Sequence, residues 1–395
     1  MLHSHWLSAR VLCIPLLAAV GTQNALSIWA QSPDMTSPVQ LIPRTKAERE
    51  QRYQARHLIT LIVQATDSSG KPVTGLKADD FVLLDNQKPT RAASFREIEG
   101  LAGTAKVHVM LVLDAINDGG SSIGHVKKDL DKFLSQDQGP LPFPIALVFA
   151  SGGGATESQP STDRTVVARQ LAEFARLPRE AECDQPHFIE GSRMDGQAMG
   201  SQSPKDSAEE RADCMISHFT ESVNALRSLI AEQKNIPGRT ILIWTSRGWP
   251  LLADFGTRAE AHRGNYRDVL VELTTNLREA QVTLYAVSGG DFEAPKSVRK
   301  PIMSVTASAP STPDDIAEMT MALPALARQN GGQAIAKVKN FAGAMTNIVA
   351  DAGDFYVLSF DSTPAAAANE FHAIDVKVGR PGMTVRSASS YYAQP

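Results

Sequence analysis

The sequence predicts an α/β protein in which a doubly wound, mostly parallel sheet is inserted into a small β-sandwich. Between residues 105 and 354, almost continuously apolar segments alternate with amphipathic helical segments, which is typical of strands buried on both faces. The flanking segments, 57–99 and 355–395, alternate in polarity as strands with one exposed face do. With 395 residues, of which 43% are hydrophobic, the chain can bury more than one core.

The first thirty residues have the pattern of an export signal. Arg10 precedes the apolar run VLCIPLLAAV, which is too short to span a bilayer as a helix, and Ala30 is a small residue suited to cleavage. Residues 31–56 are polar and contain several prolines, as a linker does. We therefore expect a mature chain that begins near residue 31, is periplasmic or secreted, and contains no transmembrane helix.

The N-terminal β segment, 57–99, carries turn residues at Asp67–Gly70 and at Asp85–Asn86, which predict two hairpins. A unit of this size has too little apolar surface to fold alone. The sequence returns to alternating polarity at 355–395. We therefore expect the two terminal segments to form one sandwich around the inserted α/β domain.

The central region predicts strands and helices in alternation. Strands are expected at VHVMLVLDA, FPIALVFAS, RTILIWTS, QVTLYAVSG and QAIAKV. Helices are expected at GHVKKDLDKFLSQ, DRTVVARQLAEFARL (with Asp163 as N-cap), HFTESVNALRSLIAEQKN, NYRDVLVELTTNLREA, PDDIAEMTMALPALARQNGG and NFAGAMTNIVADA. In open sheets of this kind, ligands bind beyond the carboxyl ends of the strands. Asp114 ends the first central strand and is therefore a candidate site residue.

Two cysteines, Cys183 and Cys214, lie in the expected mature chain, because Cys13 falls within the signal. In an oxidising compartment we expect them to form a disulfide bond. The segment between them is rich in Gly, Ser, Gln and charged residues. We therefore predict a surface insertion over 180–213 that the bridge ties down.

Several segments together carry a resemblance: GKPVTGLKADDFVLLDNQKP, VLDAIND, PGRTILIWTSRGWPLL, LARQNGGQAIA, FYVLSF and FHAIDVKVGRPGMTVRSASSYYA. In this order and spacing, the chain resembles a von Willebrand factor A-type domain, and more narrowly the VWFA-related family first defined from acidobacterial proteins. The resemblance covers most of the mature chain. It implies the α/β fold, and it implies a metal-ion-dependent adhesion site at the carboxyl ends of the strands.

The residues at that implied site depart from the family pattern. The family places Asp-x-Ser-x-Ser after the first strand and an Asp after a later one, around a Mg²⁺ with an open position for a partner's carboxylate. Asp114 matches the first aspartate, but Ile116 and Asp118 stand where serines are expected, and Ser246 or Arg247 where the later aspartate is expected. We therefore expect a degenerate site without a cofactor. If a Mg²⁺ binds, Asp114 and Asp118 would hold it.

The roles of the residues near Asp114 stay open at this point. The carboxylate can pair with Arg247, or it can cap the helix that follows the first strand. Trp244 and Trp249 flank Ser246 in the chain, and we expect one in the core and one at the rim. The candidate partner-binding residues are Asp114, Asn117, Asp118, Ser121, Ser246 and Arg247.

Two functions from different classes remain. The first is an exported, noncatalytic, adhesion-type module that binds a protein partner through this end of the sheet. The alternative is an envelope hydrolase with Asp114 or Asp118 as base or nucleophile, although Gly152–Gly154 lacks the Lys-Ser/Thr of a phosphate loop and no Ser-His-Asp arrangement is evident. The net charge of −4 and the lack of a Lys/Arg run argue against nucleic acid as a partner.

Overall fold

The protein is a mixed α/β structure with one largely parallel sheet and two antiparallel sheets, so the coarse fold class predicted from the sequence is confirmed. The computed structural model describes residues 57–100, 107–117, 120–135, 139–177, 204–246, 248–249, 257–289 and 323–395. The predicted signal and linker, residues 1–56, lie outside the described residues.

The strands, in chain order, are β1 Leu58–Thr66, β2 Phe81–Asp85, β3 Lys88–Thr90, β4 Ser94–Ile98, β5 Val107–Asp114, β6 Ile145–Ser151, β7 Gly154–Glu157, β8 Arg239–Thr245, β9 Val282–Val287, β10 Ala334–Ile335, β11 Phe355–Asp361, β12 Glu370–Val378, β13 Thr384–Arg386 and β14 Ser390–Ala393. The described helices are α1 Gly120–Ser135, α2 Arg164–Phe174, α3 Pro204–Gln233, α4 Thr257–Glu279, α5 Leu323–Gln329 and α6 Phe341–Ala350. None of these described helices combines the length and the apolarity needed to cross a membrane.

The central sheet has the strand order β10-β9-β8-β5-β6-β7. Its neighbouring strands run parallel, except that β7 is antiparallel to β6. Described helices pack on both faces: α3, α4 and α5 cover one face, and α1, α2 and α6 cover the other. Because side chains alternate along a strand, Met110 and Val112 enter the first core and Val109, Leu111 and Leu113 the second. Because the parallel strands run in the same direction, their carboxyl ends lie at one edge of the sheet, which we call the carboxyl edge.

Two helix starts are fixed by side chains that satisfy free backbone N–H groups. Asp163 accepts hydrogen bonds from the backbone nitrogens of Thr165 and Val166, at 2.8 and 3.3 Å, so it caps α2 as the sequence predicts. Asn340 caps α6 in the same way through the backbone nitrogen of Gly343, at 3.0 Å. These caps set where the two helices begin against the sheet.

Three central elements differ from the sequence prediction. Helix α4 begins at Thr257 instead of near Asn265. Helix α3 begins at Pro204 instead of near His218, so the last part of the predicted 180–213 insertion is helical. The rest of that insertion, residues 180–203, lies outside the described residues. Strand β7, Gly154–Glu157, was not predicted, because a short segment with two exposed residues carries no apolar signal of its own. It is a strand because it pairs with β6.

The two antiparallel sheets have the orders β13-β1-β11-β4 and β14-β12-β2-β3, so each contains strands from both ends of the described chain. Strand β1 lies between β11 and β13, and β2 lies beside β12. Their inward side chains form one shared core that includes Ile59, Leu61, Leu83, Phe360 and Ile374. The two sheets therefore pack face to face over this core.

One of the two predicted N-terminal hairpins is present. Strands β2 and β3 pair through a turn at Asn86 and Gln87, both of which have a positive φ. The other hairpin prediction is wrong: after the Asp67–Gly70 turn, no strand within 57–100 pairs with β1, and Thr66 and Pro72 form only an isolated bridge. Strand β1 pairs instead with β11 over six residues and with β13 over three.

A partly buried polar cluster joins the sandwich to the amino ends of the central strands. The backbone oxygen of Asp351 accepts hydrogen bonds from Gln64 Nε2 at 2.6 Å and Arg239 Nη1 at 2.7 Å. Its carboxylate accepts from the Tyr285 hydroxyl at 2.6 Å and pairs with Arg386. Burial raises the pKa of the Tyr285 hydroxyl, which therefore remains a donor at neutral pH. The carboxyl edge lies at the other end of the strands and is left uncovered by this junction.

Candidate functional site

Asp114 ends β5 at the carboxyl edge and is completely buried, with 0% of its surface exposed. Strand β5 has a parallel neighbour on each side, β6 and β8, and the backbone nitrogen of Ala115 still bonds to the oxygen of Ala150 at 2.8 Å. The apolar strand thus carries the carboxylate into the interior. A buried carboxylate is strongly destabilising unless hydrogen bonds satisfy it.

Both carboxylate oxygens of Asp114 are taken by nitrogen donors. Oδ1 accepts from the backbone nitrogens of Ile116 at 3.1 Å and Asn117 at 3.0 Å, and Oδ2 accepts from the indole Nε1 of Trp244 at 2.8 Å. The Asn117 side-chain amide reaches both oxygens, at 3.2 and 2.9 Å. The carboxylate therefore has its acceptor positions filled by protein groups.

The hydrogen bonds continue from Asn117 to helix α3. Its Nδ2 donates to the Ser222 hydroxyl at 2.8 Å, and that hydroxyl donates to the backbone oxygen of His218 at 2.8 Å. Ser222 is fully buried. We call Asp114, Asn117, Ser222 and Trp244 the Asp114 network; it links strands β5 and β8 to helix α3.

Trp244, in β8, and Trp249, shortly after that strand, are both buried, so the expectation of one core and one rim tryptophan is wrong. Trp244 is 0% exposed and Trp249 is 4% exposed. Their rings pack edge to face at 5.4 Å between centroids, and Phe219 of α3 packs against Trp249 at 6.2 Å. Within the part of the chain that the structure describes, Trp249 Nε1 has no hydrogen-bond partner, in contrast to Trp244 Nε1.

The backbone N–H of Asn117, one of the donors that the sequence suggests for Asp114, does donate to its carboxylate. Trp244 and the Asn117 amide donate to the carboxylate, while Arg247 lies outside the described residues. Asp114 is not the N-cap of α1, because α1 begins at Gly120 and an N-cap directly precedes its helix.

The other candidate residues are only partly described. Ser246 is buried; its hydroxyl accepts from the backbone nitrogen of Gly248 at 3.1 Å and so closes the turn after β8. Asp118 lies outside the described residues, as does the side chain of Ser121, so neither can be placed beside Asp114. Cys214 is disulfide-bonded, but Cys183 lies outside the described residues, and the Cys183–Cys214 pairing stays a prediction.

The described residues around Asp114 do not fit a divalent cation. A Mg²⁺ needs about six oxygen ligands with free lone pairs. The Asp114 oxygens already accept from nitrogen donors, and Ile116 is an apolar, buried residue at the next ligand position. Among the described residues, no group of three or more His, Cys, Asp or Glu side chains forms a candidate metal site.

The contact between Trp244 and Asp114 can be derived from the strand register, but the sequence alone does not give that register. Val112 pairs with Trp244 in the parallel ladder, and Asp114 lies two residues further along β5, on the same face. An aromatic side chain reaches such a diagonal neighbour. Sequence alone cannot supply the register of strands that are 130 residues apart.

A second buried polar cluster lies inside the sandwich. Asp85 accepts from the hydroxyls of Tyr391 and Thr363, each at 2.9 Å, and contacts His372 Nδ1 at 2.8 Å. Burial and Asp85 raise the pKa of the Tyr391 hydroxyl, which keeps it protonated as a donor. Asp85, His372 and Tyr391 are all buried, which suits a structural cluster better than a catalytic one.

No protein-family model matches the chain, and no curated protein matches it. The fold is similar to the crystal structure of the manganese-loaded Plasmodium vivax TRAP protein, with a TM-score of 0.28, 11% identity, and coverage of 75% of this chain and 96% of that one. It is also similar to the human COPII-coat protein Sec24c, with a TM-score of 0.29, 8% identity, and coverage of 76% and 46%. This chain thus spans less than half of the Sec24c chain. Both TM-scores are low, and the fold described above rests on the strand order and packing of this chain alone.

Proposed function

We propose that the protein is an exported, noncatalytic module with a doubly wound fold of the von Willebrand factor A type. It binds a protein partner at the carboxyl edge of the central sheet, and it does so without a divalent cation. The proposal rests on the hydrogen bonds that protein groups donate to both Asp114 oxygens. They make the residue that would hold a cation a structural acceptor.

The same observation makes Asp114 a poor catalyst. A general base must lie within hydrogen-bond reach of a substrate proton, and a nucleophile must be able to reach the reacting atom. Asp114 has no exposed surface, and Trp244 and Asn117 occupy its oxygens. The hydrolase alternative would therefore need a carboxylate other than Asp114.

The carboxyl edge remains the favoured contact surface on general grounds. Ligands of open α/β sheets gather outside the carboxyl ends of the strands. Here Gly152 and Gly153 are exposed after β6, and Gly289 is exposed after β9. Small residues without long charged side chains let a partner's surface approach the backbone closely.

Export is supported by the signal-like first thirty residues and by Cys214. A disulfide-bonded cysteine is typical of proteins that fold in an oxidising compartment. The proposed fold is supported by the order of the segments that resemble the VWFA-related family.

The test is capture of a partner by the mature chain, residues 31–395, from an envelope extract in the presence of a chelator, followed by a binding isotherm with the purified partner. The matched variants are Gly153→Arg, at the carboxyl edge, and Gly139→Arg, at the opposite end of β6. Both glycines are exposed, and a side chain added at either position meets no backbone within contact distance. We expect Gly153→Arg to weaken binding by about tenfold or more, and Gly139→Arg to leave it unchanged.

Three outcomes would contradict the proposal. Binding that is lost on chelation would show that a cation is required. Equal binding by the two arginine variants would place the contact elsewhere. Turnover of an ester, phosphate or glycoside substrate that Asp114→Asn abolishes would favour the hydrolase alternative.

A further inference from the structure

A cavity of about 550 Å³ lies at the amino ends of strands β5 and β6, at the opposite end of the sheet from Asp114. We call it the base cavity. Its size is that of a small-molecule site. The described lining residues are Gly100, Val107, His108, Val109, Met110, Pro142, Phe143, Pro144, Ala146, Glu157, Pro160, Gln233 and Ile236.

The walls of the base cavity are apolar and stiff. Pro142, Pro144 and Pro160 are exposed at its opening, and the buried side chains of Phe143 and Met110 form its interior. Proline rings have few conformations to lose, so little entropy is lost when a ligand packs against them. The cavity can therefore hold an apolar ligand body.

Among the described residues, three polar side chains line the same cavity, and two of them form no side-chain hydrogen bond with the rest of the described chain. Gln233 accepts from the Thr240 hydroxyl at 2.8 Å through its Oε1. His108 Nε2 is buried and has no hydrogen-bond partner among the described residues. Glu157, at the opening, forms no ion pair with any residue that the structure describes.

Among the described residues that line the base cavity, Glu157 carries the one acidic charge. Desolvation, and repulsion by the nearby Glu232 carboxylate, raise the pKa of the Glu157 carboxyl. No Lys or Arg occurs among the described residues that line the base cavity. A bound cation would relieve this repulsion, whereas an anion would increase it.

We propose that the base cavity binds a small organic ammonium ion, with its apolar body between the proline and phenylalanine side chains and its ammonium group at Glu157. The ammonium donates to the Glu157 carboxylate. This site is separate from the carboxyl edge, and its existence does not depend on the function proposed there.

The experiment uses the mature chain and a matched pair of probes, protonated phenethylamine and neutral phenethyl alcohol, in titration calorimetry. We expect the amine to bind at least about tenfold more tightly than the alcohol. Glu157→Gln should remove that preference, while Asp79→Asn, an exposed carboxylate in the sandwich, should leave it unchanged. Equal affinity for the two probes, no binding of the amine below about 10 mM, or full amine binding by Glu157→Gln would overturn the proposal.

A second measurement needs no variant. Glu157 attracts the ammonium only while it is ionised, so amine binding should weaken as the pH falls through the raised pKa of Glu157. Binding of the alcohol should stay constant over the same pH range. Amine binding that does not change over this range would also contradict the proposal.

Discussion

The indole Nε1–H of Trp244 donates to Oδ2 of Asp114 across 2.8 Å and connects the neighbouring parallel strands β5 and β8. Both residues are fully buried. The family that the sequence resembles places a cation ligand at the position of Asp114, but here an aromatic side chain donates to that carboxylate. Among the described residues, the centre of the carboxyl edge therefore contains a hydrogen-bond network around Asp114.

Trp244→Phe should destabilise the protein more than Trp249→Phe. The two rings are buried and touch each other, so both changes remove similar volume. Only Trp244→Phe removes a donor from the Asp114 carboxylate, because Trp249 Nε1 has no hydrogen-bond partner among the residues that the structure describes. We expect the two free energies of unfolding, measured by urea denaturation, to differ by about 2 kcal/mol. Equal losses would mean that the Trp244 hydrogen bond contributes nothing.

Asp114→Asn should cost about 3 kcal/mol in the free energy of unfolding, because an amide offers one acceptor oxygen and turns its own N–H₂ group toward existing donors. Asp163→Asn is the matched control. Asp163 is an N-cap, a role that asparagine performs equally well, so its loss should be below about 0.5 kcal/mol. If Asp114→Asn were as mild as Asp163→Asn, the charge of Asp114 would not matter to the fold.

The sequence predicted most central strands because buried parallel strands are almost continuously apolar. VHVMLVLD and RTILIWT, which became β5 and β8, show this pattern. It failed for β7, whose GATE sequence becomes a strand only through its partner β6. It also misplaced the start of α3, where Pro204 and the polar residues after it read as part of a surface insertion.

The site was predicted less completely than the fold. The end of an apolar run identified Asp114, and its departure from the family pattern at Ile116 was visible in the sequence. The Trp244 donor and the link from Asn117 to Ser222 were not predicted, because they depend on strand register and helix packing over long sequence separations. A local pattern contains no information on either.

Deletion of residues 355–395 should unfold the N-terminal strands. Strand β1 would lose both of its neighbours, β11 and β13, and β2 would lose β12. We expect hydrogen exchange within 57–99 to become fast compared with the intact chain, with any residual protection limited to the β2–β3 hairpin. Protection of β1 equal to that in the intact chain would contradict the shared core of the two sheets.

The most direct test of the central claim is the thermal unfolding of the mature chain with a chelator and with millimolar Mg²⁺ or Mn²⁺, compared with Asp114→Ala. Any ligand that binds the folded state alone raises the midpoint of unfolding. Because Trp244 and Asn117 occupy the Asp114 oxygens, we predict the same midpoint in all three conditions for the wild type, and an equally lowered midpoint in all three for Asp114→Ala. A metal-dependent rise in the wild type that Asp114→Ala abolishes would show that Asp114 holds a cation and would contradict the account.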